Sequence, residues 1–320
     1  MGIIVPQRVS QVLVFAFVLG LLAGCGSSPT GTGSQPPPAS AGFACSSAHV
    51  FTATAGAPVH QSAALGDLTA TLTGTSVESS GETDGLSGGV LTITASGQEI
   101  VRLPIAPPGG SDATDLDVIG GAATASSDDA GSLCLIRFTS GGPAIAFVAL
   151  TTGGAHCCTV LRAVPAAAAT DARAVDHDFG NYGPAVRTTA TGPVLVSADN
   201  AFAYAFASFA GSYPPVQVYT FRAGAYADVT RENPSIVQAD LADHWKLYND
   251  PSSTERLGIL AGWVADKCLL DPAKEADDAW AFVDQQRAAG TLTATAGWPS
   301  GADFIASLHK LLDDGGYCAP

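Results

Sequence analysis

Leu68-Thr69-Ala70-Thr71-Leu72-Thr73 alternates apolar and polar side chains with a period of two. Only an extended backbone puts every second side chain on one face, so the stretch predicts a half-buried β-strand. The same alternation recurs in Val90–Thr94 and in Ile100–Ile105, where Pro104 marks an edge or a strand end. Leu133–Phe138, Ile145–Leu150 and Cys158–Val164 are further strand-like runs, and Val216, Val218 and Thr220 alternate again. Phe202, Tyr204 and Phe206 alternate with alanine, which predicts a strand with three rings on one face. Gly, Pro, Asn and Asp fill the gaps, as hairpin-rich sheets require. The run Gly142-Pro143-Ala144-Ile145-Ala146-Phe147-Val148 is echoed by Gly192-Pro193-Val194-Leu195-Val196. The offset is about 50 residues, the size of a propeller blade or solenoid unit.

From Asn233 onward the period changes to that of a helix. Ile236/Val237, Leu241, Trp245 and Tyr248 form one stripe, behind Asn233 as cap and Pro234 as first helical residue. Leu257, Leu260, Ala261, Val264 and Cys268 form a second, with Ser252-x-x-Glu255 as a capping box. Ala276, Ala279, Trp280 and Val283 follow Asp271-Pro272, and Phe304, Ile305, Leu308, Leu311 and Leu312 follow Ser300. The expected fold is mostly β, as blade-like hairpin repeats or a β-sandwich over residues 43–231, followed by a small α-helical C-terminal domain over 232–320.

The chain has 320 residues and is 47% hydrophobic, enough for a sizeable core. Charged residues are only 13%, and 14 Lys+Arg face 29 Asp+Glu for a net charge of −15. Binding through phosphate contacts needs clustered Lys and Arg, so this balance excludes a nucleic-acid partner met through a basic surface.

The amino terminus reads as an export signal over residues 1–24. Arg8 precedes an apolar run from Val12 to Leu22, shorter than the ~20 residues a membrane-spanning helix needs. Leu22-Ala23-Gly24-Cys25 resembles the lipobox of bacterial lipoproteins. That resemblance implies cleavage before Cys25, acylation of its sulfur (palmitate among the acyl chains) and attachment of the protein to the lipid bilayer. Residues 25–42 are rich in Gly, Ser and Pro, without apolar periodicity, and read as a tether.

Seven cysteines minus Cys25 leave Cys45, Cys134, Cys157, Cys158, Cys268 and Cys318. An even number in an exported chain points to disulfides, with 15 possible pairings. Cys268 and Cys318 stand alone in the last third and are expected to pair. Cys157 and Cys158 are adjacent on an expected strand and point to opposite faces. They are therefore expected to take Cys134 and Cys45 as partners, in either order.

Three stretches resemble bacterial secreted proteins with FG-GAP/VCBS-like repeats. They are Thr152-Gly153-Gly154-Ala155-His156-Cys157-Cys158-Thr159, His177-Asp178-Phe179-Gly180-Asn181-Tyr182, and the run from Val196 to Phe206. Asp228-Val229-Thr230-Arg231 and the helical tail continue the likeness. The resemblance implies β-hairpin blades, in such proteins often with an acidic Ca²⁺ loop ahead of a strand. Here the loops Thr139–Pro143 and Ala190–Pro193 lack the carboxylates that a six- to eight-oxygen site requires.

The chemical motifs are sparse. Asp176-x-Asp178 and Asp115-x-Asp117 have Ca²⁺-like spacing without the glycine and distal glutamate of an EF-hand loop. Solvated turn acids are the competing reading, so no cofactor is expected beyond a possible Ca²⁺ at Asp176 and Asp178. Gly85-Leu86-Ser87-Gly88-Gly89 matches G-x-S-x-G but leads into a strand instead of a helix, which predicts a turn. Ser307-Leu308-His309-Lys310 matches S-x-x-K without its companion motifs. His156, Asp176, His177 and Asp199 could converge as an acid–base group, or could satisfy backbone groups at turns. The expected function is a non-enzymatic, lipid-anchored envelope module, attached through acylated Cys25 and binding an envelope protein, a glycan or a small ligand. The alternatives are an envelope-polymer hydrolase using Asp176, His177 or Asp199, and a structural spacer.

Overall fold

The computed structural model describes residues 39–46, 54–79, 82–108, 114–117, 119, 131–152, 158–167, 173–294 and 297–319. Residues 1–24, Cys25 and most of the 25–42 tether lie outside these, as do His156 and Cys157. Among the described residues there are fourteen strands and four α-helices, with all four helices at the C-terminal end.

The strands form three consecutive up-and-down meanders. The first runs through β2 (Pro58–Leu65), β3 (Leu68–Ser79), β4 (Glu82–Ala95) and β5 (Gln98–Pro104). The second runs through β7 (Leu133–Arg137), β8 (Ile145–Thr151), β9 (Thr159–Pro165) and β10 (Val175–Asp178), with β1 (Gly42–Cys45) on its outer edge. The short β6 (Thr114–Leu116) pairs with both β4 and β8 and joins these two into one ten-stranded sheet. The third, β11 (Ala185–Thr189), β12 (Gly192–Ala198), β13 (Val216–Arg222) and β14 (Ala225–Asp228), is a separate four-stranded sheet. The two echoing Gly-Pro stretches lead into β8 and β12, the second strand of the second and of the third meander.

The middle meander is covered on both faces. On one side Leu133, Leu135, Val148 and Leu150 pack with Leu72, Leu91 and Ile93 of the first meander. On the other, Ile136, Phe147 and Leu161 pack with Leu195 and Phe221 of the third. Phe147 meets Phe221 edge to face at 6.1 Å between centroids. A strand buried on both faces has no solvent side to keep polar, which explains why β7 and β8 read as unbroken apolar runs.

The helices are α1 (Pro234–Tyr248), α2 (Arg256–Leu270), α3 (Lys274–Ala288) and α4 (Gly301–Asp314). α2 is buried along almost its whole length, and Leu260 and Val264 meet Val283, Phe304 and Leu308 in the helical core. Arg231 locks the tail to the sheet end. Its guanidinium donates to the carbonyls of Cys268, Leu269, Gly316, Tyr317 and Ala319.

Several local expectations are corrected. Phe202, Tyr204 and Phe206 are not on a strand. The Asp199 carboxylate accepts from the Ala201 amide and starts a 3-10 turn over Asn200–Phe202. The turn ends at Ala203, whose backbone is extended, and the chain then passes through Tyr204, which takes φ +58° and stays 43% exposed. Phe202 and Phe206 on either side of it both enter the helical core. The capping box before α2 does not form. Glu255 reaches instead to the amide and hydroxyl of Ser208, and Ser252 bonds Asp250. Gly85–Gly89 lies within β4, where Gly88 takes a positive φ of +61°.

The cysteine pairing also differs. Cys45 is bonded to Cys134, so neither is left for Cys157 or Cys158. β1 pairs with β7 in a register that sets Cys45 directly opposite Cys134, with Cα atoms 4.0 Å apart. A strand pairing between distant segments decided this, and no sequence spacing carries it. Cys158 is disulfide-bonded as well. Cys268 is bonded to Cys318, tying the end of α2 to the C-terminal tail.

Candidate functional site

Among the described residues, Asp176, His177, Asp178 and Asp199 each meet separate partners; His156 lies outside the described residues. Asp176 faces Arg162 across the β9–β10 pair and takes a bidentate ion pair, 2.7 Å from Nε and 2.6 Å from Nη2. Asp178 accepts from the Gly180 amide at 2.7 Å and closes a turn. His177 is packed among Phe179, Tyr219 and Tyr226, with ring centroids 4.5–5.0 Å away. Burial lowers its pKa, with Asp178 opposing, which favours the neutral ring. Asp199 accepts from the Tyr317 hydroxyl at 2.6 Å on the wall of a cavity of about 610 Å³ that also holds Asp228 and Arg231. Among the described residues no hydrogen bond or ion pair joins Asp199 to Asp176, His177 or Asp178. On α4, Lys310 pairs with Asp314 and His309 stacks on Trp280 at 3.7 Å, so the S-x-x-K residues face a neighbouring helix and solvent.

A different set of titratable groups does converge. Asp240 and His244 lie four apart on α1 and so share one face of the helix. Asp266 comes from the facing side of α2. His244 Nδ1 is 2.7 Å from Asp266 Oδ2 and 3.8 Å from Asp240 Oδ2. The ring is 4% exposed and Asp266 is 0% exposed. A backbone hydrogen bond ties the ring to Tyr213 as well. Gly262 makes room for that contact: a Cβ there would stand 2.2 Å from the Tyr213 oxygen and 2.8 Å from His244 Nε2. The Asp240 carboxylate accepts from the Val216 amide at 2.8 Å, which fixes α1 against the start of β13.

Burial pushes Asp266 up to about 7, against the pull of the His244 hydrogen bond. Burial also works to lower His244, but the Asp266 hydrogen bond and the two carboxylates outweigh it and hold the ring above its ordinary value. With both ring nitrogens engaged, His244 is not placed to take a proton from a substrate. Its Nδ1 and one oxygen from each carboxylate lie within 4.8 Å of one another, a spacing that could hold a metal ion. The sequence does carry a trace of this cluster: Asp266 is an acid in the apolar run Leu257–Cys268. A charge there must either reach solvent or find a partner. Which partner depends on how α1 docks, and that is not readable from the stripe.

Asp240 also opens outward. Its side chain is 30% exposed and lines a groove of about 570 Å³ between α1 and the third meander. Tyr182 and Phe209 form one wall, with their rings nearly parallel at 21° and centroids 5.9 Å apart. Asn181, Arg187, Ser197 and Asp243 add polar groups to the lining. Two side-chain oxygens here, Tyr182 Oη and Asn181 Oδ1, are shielded from solvent and have no partner among the described residues.

Fold and groove together define a protein of stacked β-meanders closed at one end by helices, with a concave site where the two parts meet. No family model matches the chain, and no solved structure does. A Synechocystis sp. protein named as a probable thylakoid lumen protein is 32% identical to it over 151 residues. That stretch is 43% of this chain and 42% of the relative, so the likeness spans under half of either.

Proposed function

We propose that the chain is an exported, lipid-anchored module that binds a saccharide-bearing envelope ligand in the groove beside α1. Two points support the location. Cys45–Cys134 and Cys268–Cys318 persist only in an oxidising compartment, and the partial relative carries a lumenal name. The anchor rests on Leu22-Ala23-Gly24-Cys25. Two acyl chains hold a protein on a bilayer stably where one does so only marginally. Cys25→Ala is expected to move the protein from the membrane fraction to the soluble fraction. Membrane retention equal to that of the unaltered protein would remove the anchor.

The groove carries the binding reading. Aromatic rings at Tyr182 and Phe209 line it beside the polar side chains of Asn181, Arg187, Ser197, Asp240 and Asp243. A sugar ring has the matching pair of surfaces, one apolar face and an edge of hydroxyls. The hydrolase reading has less support, because Asp176, His177 and Asp199 are each committed to separate partners. The test is calorimetric titration of the purified protein with a disaccharide of the peptidoglycan backbone. Tyr182→Ala is expected to weaken binding at least about tenfold, or ~1.4 kcal/mol, the scale of one lost stacking contact. Equal affinity in the variant, or no heat in the unaltered protein, rejects the groove as a saccharide site.

A further inference from the structure

We propose that Asp240, His244 and Asp266 form a binding site for a first-row divalent metal ion, best matched by Zn²⁺. The proposal does not depend on the saccharide reading, and each can fail alone.

Three observations carry it. The first is the donor set. One imidazole nitrogen and two carboxylate oxygens lie within 4.8 Å of one another. A mixed N/O set with a histidine suits zinc-type ions, whereas Ca²⁺ and Mg²⁺ prefer oxygen alone. Two carboxylates and a neutral imidazole also balance a 2+ charge inside a site that could not hold it unpaired.

The second is a buried acid facing another acid. Asp266 is 0% exposed, its Oδ1 accepts from no N–H or O–H donor among the described residues, and the Asp240 side chain stands within hydrogen-bonding reach of Asp266. Two carboxyl groups so placed must share a proton or a cation, and a 2+ ion between the ligands takes the proton's place. At ligand distances of ~2.0–2.2 Å, His244 and Asp266 need part by only about half an ångström to admit the ion.

The third is the outer support. His244 is tied by its ring to the Tyr213 backbone, and Asp240 takes the Val216 amide. Metal-ligating histidines and carboxylates are aimed by this kind of second contact, here supplied by the chain segment entering β13. Gly262 is part of the same arrangement, because any side chain there would displace the Tyr213 carbonyl and the imidazole. Three protein ligands leave a fourth position, and of the three Asp240 also lines the groove. Three ligands with an open fourth position is the pattern of a zinc site that takes water or a ligand atom.

The test uses the purified full chain in detergent, stripped with EDTA and titrated with Co²⁺ as a spectroscopic stand-in. The expected result is a visible absorption spectrum of tetrahedral intensity, bleached by stoichiometric Zn²⁺. Zn²⁺ is also expected to raise the Tm of the stripped protein by several degrees, since it binds the folded state alone. Asp240→Asn, at the most exposed ligand, is expected to keep its metal-free Tm near that of the unaltered protein and to lose both responses. The site is overturned if the unaltered protein gives neither the Co²⁺ spectrum nor the Zn²⁺ shift. It is overturned equally if Asp240→Asn keeps both, which would place the metal elsewhere in the chain.

Discussion

The double variant Cys45→Ala/Cys134→Ala is expected to lose about 4–5 kcal/mol of stability. The bridge closes a separation of 89 residues. In the chain-entropy account a crosslink over ~100 residues restricts the unfolded ensemble by about 4.7 kcal/mol, and one over ~15 residues by about 3. The native state loses little in exchange, because alanine fits where Cys134 is fully buried among apolar neighbours. β1 is the element most exposed to the change. It has four residues, none of them fully buried, and its ladder partner is β7 alone. The Cys268–Cys318 bridge spans 50 residues and should contribute slightly less, since closure entropy grows only with the logarithm of loop length. At roughly 2–4 °C per kcal/mol for a body of this size, the double variant should melt about 10 °C lower. Guanidinium unfolding without reductant measures the loss. A change below about 1 kcal/mol would show that the unfolded chain is not restricted by this bridge.

Asp266→Ala is expected to cost about 3–5 kcal/mol, because it strands His244 in a site 4% exposed. The hydrogen bond it removes, at 2.7 Å, joins α1, which lines the groove, to α2. The same cluster sets a pH dependence in the metal-free protein, measured with chelator present. Asp266 holds its proton up to about 7 when folded, against an ordinary value of 3.8. His244 likewise keeps its proton above its ordinary 6.5. In both cases the folded chain binds protons that the unfolded chain has released. Stability then falls as pH rises, first through the interval from 3.8 to about 7 and then through the range above 6.5. Denaturant midpoints should therefore drop between about pH 5 and about pH 8, and the slope should flatten in Asp266→Ala. A midpoint that rises over this interval would contradict the protonation assigned to the cluster.

Strands with one wet face and one dry face were the easiest to read. Alternation at Leu68–Thr73 survives in β3 because Thr69, Thr71 and Thr73 stay on the side away from Leu72 and its partners. The helices were legible for the same reason, with α4 placing Phe304, Leu308 and Leu312 on one buried stripe. Phe202–Phe206 misled because alternating rings do not need a strand: the Asp199 cap starts a short 3-10 turn, and Tyr204 at φ +58° breaks the extended backbone between the two buried rings. Glu255 misled because a capping residue competes with any better donor nearby, and Ser208 supplied two.

The candidate site was the least legible part. His177 and Asp176 stood out because they are adjacent polar residues in a motif, yet one fills an aromatic cage and the other neutralises Arg162. Asp240 and His244 went unnoticed because their partner lies on another helix, at a residue embedded in an apolar run.

By itself the sequence determined the strands with one wet face and the four C-terminal helices, because period and breakers are local properties of the chain. It also determined the acidic balance of the chain, 29 Asp+Glu against 14 Lys+Arg. Only the tertiary structure decided that Cys45 meets Cys134, that the middle meander is dry on both faces, and that Asp266 faces His244. Each of these joins residues far apart in the chain. Such encounters are set by how whole elements stack to remove apolar surface from water, a sum over the entire molecule that no short window contains.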